Sequence, residues 1–164
     1  MAVYAIPATG SISAARDVVY CYVGNTNNRV LRFRGLLIGN TSEVGEAAEE
    51  ALEFQVIKET AAGFGPGTGG VVVTPAVIND LDPAIGAVMV ARAFETANST
   101  FGSALTTLQF SWNIRHSPAF IFPPEPGLEI TSTSAGITKA VLVRLISTPA
   151  DAISLAVTLF VEVL

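Results

Sequence analysis

His116 is the only histidine of the chain, and it follows Arg115 at the end of an alternating apolar segment, with Ser111 and Ser117 its nearest serines in sequence. A nucleophilic serine needs such a base beside it and an acid to orient that base. No serine sits in the G-x-S-x-G turn that presents one in hydrolases, so His116 reads as a strand-end or interface histidine. Cys21, the only cysteine, lies in VVYCYV, with apolar neighbours and no adjacent basic residue to lower its pKa. It has no partner for an internal disulfide and no companions for a cysteine zinc or iron–sulfur site. A small buried residue is the plainer role. Glu43, Glu46, Glu49, Glu50 and Glu53 could offer oxygens to a hard cation, but their spacing matches no EF-hand loop. They read as a solvated acidic face, and Asn79, Asp80 and Asp82 as ordinary turn residues. Among fourteen acids any carboxylate pair could be nominated for glycosidic chemistry, and nothing singles one out. No catalytic residue, metal ligand or cofactor is expected, and the chain does not read as an enzyme.

The glycine-rich GFGPGTGG at 63–70 lacks the Gly-Lys-Ser/Thr ending of a phosphate loop. It reads instead as a flexible or partner-ordered loop carrying Phe64, an apolar residue suited to docking into a neighbour. Arg32 and Arg34 share one face of VLRFRG, with Leu31 and Phe33 turned the other way. Their plain role is cross-strand pairing with Glu53, Gln55 or Glu59 of the next strand; their functional role would be contact with an acidic partner surface. Trp112, Phe120 and Phe122 could stack on sugar rings, but Trp112 is in phase with Leu108, Phe110 and Ile114, which favours the core.

These residues belong to a chain of 164, half of them hydrophobic and only 14% charged. That size suits one domain, residues 1–164, with a single core, and the composition excludes a disordered chain. So few charges on a folded domain imply a neutral surface or one hidden in an assembly. Nine basic against fourteen acidic residues, a net charge of −5, leave no basic field for phosphates, so nucleic acid is not an expected partner. The N-terminus has no basic region before its apolar residues and does not read as a secretory signal. The uncharged run before Asp80 is broken by Pro66, Pro75 and several glycines. It cannot form a bilayer-spanning helix, and no membrane partner is expected.

The dominant period is two. Leu108, Phe110, Trp112 and Ile114 alternate with polar residues, and Ile153, Leu155, Val157, Leu159, Val161 and Val163 do the same at the C-terminus. Ala156 and Phe160 interrupt the polar side of that last segment, which predicts cover on both faces, from a central sheet position or from a neighbouring subunit. Further strands are predicted at 17–23, 30–38, 52–59, 86–95, 128–133 and 139–146, each bounded by turn residues. The expectation is all-β: an antiparallel β-sandwich of eight or nine strands, a jelly roll first among its forms. At most a short helical turn is expected near 43–51, where Ser42 could cap. Residues 1–12 are expected as an extended N-terminal arm, ordered only in an assembly, whose Val3, Tyr4 and Ile6 gain from being covered.

The opening VYAIPATGSISA, the acidic segment and strand TSEVGEAAEEALEFQVIK, the glycine-rich loop, LQFSWNIRHSP, the PEPGLEI turn and the closing ADAISLAVTLFVEVL together resemble the small jelly-roll decoration, or cement, proteins encoded among tailed-phage head genes. The likeness covers residues 3–164 and rests on pattern and order. Residues 134–151 depart from it, being longer than the usual turn before the last strand. The resemblance implies a structural virion protein, made in the host cytoplasm and placed on the capsid exterior. Its implied partners are the major capsid protein and two further copies of itself in a homotrimer; it implies no catalytic residues. The partner-contact candidates are then Val3, Tyr4, Ile6, Arg32, Arg34 and Phe64. The other reading of a trimeric sandwich is a binding module for a carbohydrate or host-surface ligand.

Overall fold

Period-two patterning becomes strand pairing in a computed structural model of the chain, which describes residues 2–23, 30–42, 50–59, 63–79, 89–121, 128–131 and 139–164. The described residues contain no helix and form twelve strands. These are β1 (Ala2–Ile12), β2 (Asp17–Val23), β3 (Val30–Asn40), β4 (Ala51–Glu59), β5 (Val71–Val73), β6 (Ala76–Val77), β7 (Met89–Ala93), β8 (Ala104–Asn113), β9 (Ala119–Ile121), β10 (Leu128–Thr131), β11 (Lys139–Leu145) and β12 (Ile153–Val163).

Two antiparallel sheets pack as a sandwich. Sheet A runs β10-β3-β12-β1-β6, with β9 also on β3, and sheet B runs β5-β7-β2-β11-β4-β8. The order is consistent with a jelly roll. Alternate residues of every long strand meet between the sheets: Tyr4, Ile6, Leu36, Ile38, Leu155, Val157 and Leu159 from A against Val19, Cys21, Phe54, Val56, Val141, Val143 and Trp112 from B. Each fully buried aliphatic or aromatic side chain there contributes about 1.5–3 kcal/mol. The β12 strand lies between β3 and β1, which gives it the central position, but its outer face, with Ala156, Thr158 and Phe160 only half-buried, is not covered by a second layer among the described residues.

The predicted strands at 17–23, 30–38, 52–59, 128–133, 139–146 and the C-terminus are present, with ends moved by a few residues, while β8 begins four residues earlier than Leu108. The strand predicted over 86–95 is described only as β7, and the helical turn expected near 43–51 falls largely on 43–49, outside the described residues; Ala51 already opens β4. The count exceeds eight or nine because β5, β6 and β9 are two or three residues long, too short to show a period.

The N-terminal arm is a correction. Residues 2–12 are not held for a partner but pair with β12 along their whole length, Ala2 opposite Val163 through Ile12 opposite Ile153. Pro7 is tolerated in this strand for a geometric reason. The Val3 carbonyl accepts from Ile78, so Val3, Ala5 and Pro7 turn their backbone polar groups away from β12. On that side β6 reaches only to Ala5, and the missing N–H of Pro7 costs no ladder bond.

Candidate functional site

Sheet B carries a third layer on its outer face. In its strand order, β4 and β5 lie far apart, as do β7 and β8, so both connections must cross the sheet. Residues 63–70 and 94–103 make these crossings side by side. Gly65 and Thr100 exchange backbone bonds of 3.0 and 2.9 Å, and Thr68 bridges Ala97 in the same way. We call the pair the strap. Glycine is required where it lies closest to the sheet: a Cβ on Gly70 would collide with the backbone carbonyl of Ala93 at the end of β7.

Phe64 is therefore not an exposed contact. It is 6% exposed and packs on Tyr20, Tyr22 and Phe101 at ring distances of 5.5–5.6 Å, above Ile57, Ala140 and Leu142. The loop is ordered by its own chain, because crossing an apolar sheet face gives it something to cover.

Around this aromatic anchor lie three acids that are at most 1% exposed: Asp17, Glu59 and Glu95. The Asp17 carboxylate accepts from Arg144 Nε at 2.5 Å and from the Ser99 amide at 2.5 Å. Glu59 accepts from the amides of Gly102 and Ser103, each at 2.8 Å. Glu95 accepts from the Gly70 amide at 2.7 Å, from the Tyr20 hydroxyl at 2.8 Å and from Arg92 Nε at 2.5 Å. Burial by itself would raise the Glu95 carboxyl, but the donors Arg92, Tyr20 and Gly70 outweigh it and hold the group below the usual carboxylate range. Buried acids persist when so paired.

The outer face of sheet A is different. Val3, Ala5, Pro7, Ala156, Thr158, Phe160, Leu37, Ala119 and Ile121 fall on it through the register of β1, β12, β3 and β9. Most are half-buried, Pro7, Leu37 and Ala119 are exposed, and Ile121 is 77% exposed. The charged side chains described on this face gather at one end, where Glu162 takes Arg34 at 2.5 Å and Arg32 at 3.5 Å. Glu162 is 2% exposed and the Arg32 and Arg34 side chains 16% and 14%, so little of the cluster reaches the surface.

Of the six contact candidates, Val3, Arg32 and Arg34 come together: Val3 and Arg32 both stand opposite Glu162 in register, and Arg34 reaches the same carboxylate. Tyr4 and Ile6 point the other way and are buried between the sheets, which removes them from any surface. The predicted pairing of the arginines with Glu53, Gln55 or Glu59 is corrected too. The strand β4 belongs to the other sheet, and their acid comes from β12. Leu37 and Ile121 were not among the candidates; Ile121 sits on a strand too short to announce itself, whereas Phe160 left a signal by interrupting the polar phase of β12.

Trp112, the sugar-stacking candidate, is buried against Phe54 and donates its ring N–H to the His116 carbonyl. His116 itself is exposed in the turn after β8. Cys21 is wholly buried, and that burial raises its thiol far above the ordinary range. Phe122, Asp80, Asp82, Glu43, Glu46 and Glu49 lie outside the described residues. Among the described residues, no three His, Cys, Asp or Glu side chains are grouped to hold a metal ion. Compared with protein-family models, curated proteins and solved structures, the chain matches none.

Proposed function

We propose that this chain is a structural virion protein that binds the outside of a phage capsid as a homotrimer and stabilises the coat lattice, with the outer face of sheet A as its contact surface. The observation that supports this most is the contrast between the two outer faces. The strap covers the apolar centre of sheet B and, among the described residues, leaves exposed apolar side chains there only on the edge strands, Val71, Val72 and Leu105, whereas sheet A offers small and apolar side chains across its middle with its described charges gathered at one end. A surface poor in net charge and rich in Ala, Val, Pro, Leu and Ile gains by exclusion of water from a matching surface. The likeness to cement proteins supplies the identity of that surface as a coat protein.

The mechanism is linkage. A protein that binds only the assembled shell lowers the free energy of that state by RT times the logarithm of one plus its free concentration divided by Kd, for each site. The shell then ruptures at a higher temperature, with no bond made or broken.

The test is addition of purified protein to undecorated heads of a tailed phage encoding it, followed by sedimentation and a thermal ramp read by DNA release. Binding with a raised rupture temperature is expected, and Ile121→Glu with Leu37→Glu should abolish both, since each buries a charge at the contact. Unchanged rupture at saturating protein would overturn the proposal.

A further inference from the structure

The strap is fastened to sheet B by different forces from those that hold the two sheets together. Between the sheets the contacts are apolar and indifferent to protons. Beneath the strap the apolar patch is small, with Phe64 its one buried strap residue. Beside the backbone bonds of Phe94 and Glu95 to the Val18 and Asp17 carbonyls of β2, several attachments converge on carboxylates. Asp17 at the start of β2, Glu59 at the end of β4 and Glu95 just beyond β7 together receive the amides of Gly70, Ser99, Gly102 and Ser103. Two arginines complete the fastening: Arg144 donates to the Ser99 carbonyl at 2.9 Å, and Arg92 to the Gly70 carbonyl at 3.4 Å.

We propose that residues 63–70 and 94–103 form an acid-releasable cover, which loosens from sheet B when Glu95 takes up a proton, while the sandwich beneath stays folded. Each acid accepts from backbone donors, and a neutral carboxyl is a much weaker acceptor than the anion. Asp17 faces Arg144 from β11, the Ser99 amide from the strap and, at its own backbone N–H, the Asn98 side chain. Glu95 faces Arg92 from β7 and Tyr20 from β2. Protonation of Glu95 therefore also leaves Arg92 without its counter-charge, next to the Gly70 carbonyl that it helps to hold. The bond from Arg16 to the Thr96 carbonyl, at 2.6 Å, the backbone bonds of Phe94 and Glu95 to β2 and the burial of Phe64 oppose release but do not depend on the carboxylates, so Phe94 and Glu95 stay on the sandwich as the strap's hinge.

The sign follows from Glu95. Its carboxyl is held below the ordinary range, so its contribution is complete above that range and disappears as pH falls through the lowered value. Opening belongs to the acid side of ordinary carboxylate titration. It uncovers Tyr20, Tyr22 and the inner faces of Phe64 and Phe101, an aromatic surface concealed at neutral pH.

Amide hydrogen exchange of the full chain between pH about 7 and about 3, normalised to intrinsic rates, tests this directly. The amides of Gly67 and Gly70 should lose protection at least about tenfold more than those of β12, the loss of a single charged hydrogen bond being sufficient. The buried Trp112 should keep its native fluorescence throughout. Glu95→Gln should reproduce the strap's faster exchange at neutral pH, by about tenfold at Gly70. Loss of strap and β12 protection together, or retention of both at the lowest pH, would overturn the proposal. The wild-type pH series decides this even if the variant fails to fold.

Discussion

The ring of Phe94 occupies the space that a side chain on Gly10 would need. A Cβ placed on Gly10 of β1 would stand 2.5 Å from Phe94 Cδ2 and 2.6 Å from Cγ. Phe94 belongs to the other sheet, just beyond β7, and its backbone is left-handed at φ 53°, a conformation that L residues adopt only at a cost. Its amide still bonds to the Val18 carbonyl at 2.9 Å. The sandwich is thus closed at this end by a ring driven across the gap between sheets, onto a strand position that must be bare.

Gly10→Ala should therefore destabilise the protein by about 1–3 kcal/mol, the usual cost of forcing extra volume into a packed interior. Equilibrium urea unfolding, followed by Trp112 fluorescence, measures it. An unchanged midpoint would mean that the Phe94 ring moves aside freely.

Arg144→Met should cost about 3 kcal/mol or more, because it leaves the Asp17 carboxylate buried without its cation. Asp17→Asn combined with Arg144→Met should recover part of that loss, and the double-mutant cycle should show a coupling of about 1 kcal/mol or more. Additive effects would show that the pair contributes nothing as a pair.

Tyr20 sets an alkaline limit. Burial, reinforced by its hydrogen bond to Glu95 and the negative charge there, raises its hydroxyl well above the ordinary value. For a group raised on folding, the stabilising contribution is complete below the unfolded pKa, about 10 for tyrosine, and is lost as pH rises through the folded value. Unfolding free energy should therefore fall above pH about 10, and Tyr20→Phe should flatten that slope while costing about 1 kcal/mol at neutral pH for the lost hydrogen bond. Denaturation series at several alkaline pH values, with phenolate absorbance read in parallel, provide the measurement.

Much of this architecture is legible in the chain because side-chain alternation is a local property. The phase of β12 places Leu155, Val157 and Leu159 inside, and the interruptions at Ala156 and Phe160 predict cover on both faces; the structure gives the strand its central position but leaves that outer face half-buried. The same reasoning assigned Cys21 and Trp112 to the core. It misjudged residues 2–12, since Val3, Tyr4 and Ile6 show the same alternation, but Pro7 and Gly10 interrupt the segment, and only the end of β6 and the ring of Phe94 reveal why those two are harmless.

What the sequence determined by itself was the class: strands from their period, a folded core from its apolar content, and a weakly charged surface from its composition. What only the tertiary structure decided was which strands are neighbours, and partner choice followed from that. Arg32 and Arg34 find Glu162 across sheet A, Asp17 finds Arg144 127 positions away, and Phe64 turns from solvent onto Tyr20. Alternation specifies the face on which a residue lies, but sheet order depends on non-local backbone pairing and the closing of long loops, neither of which leaves a mark in the local pattern.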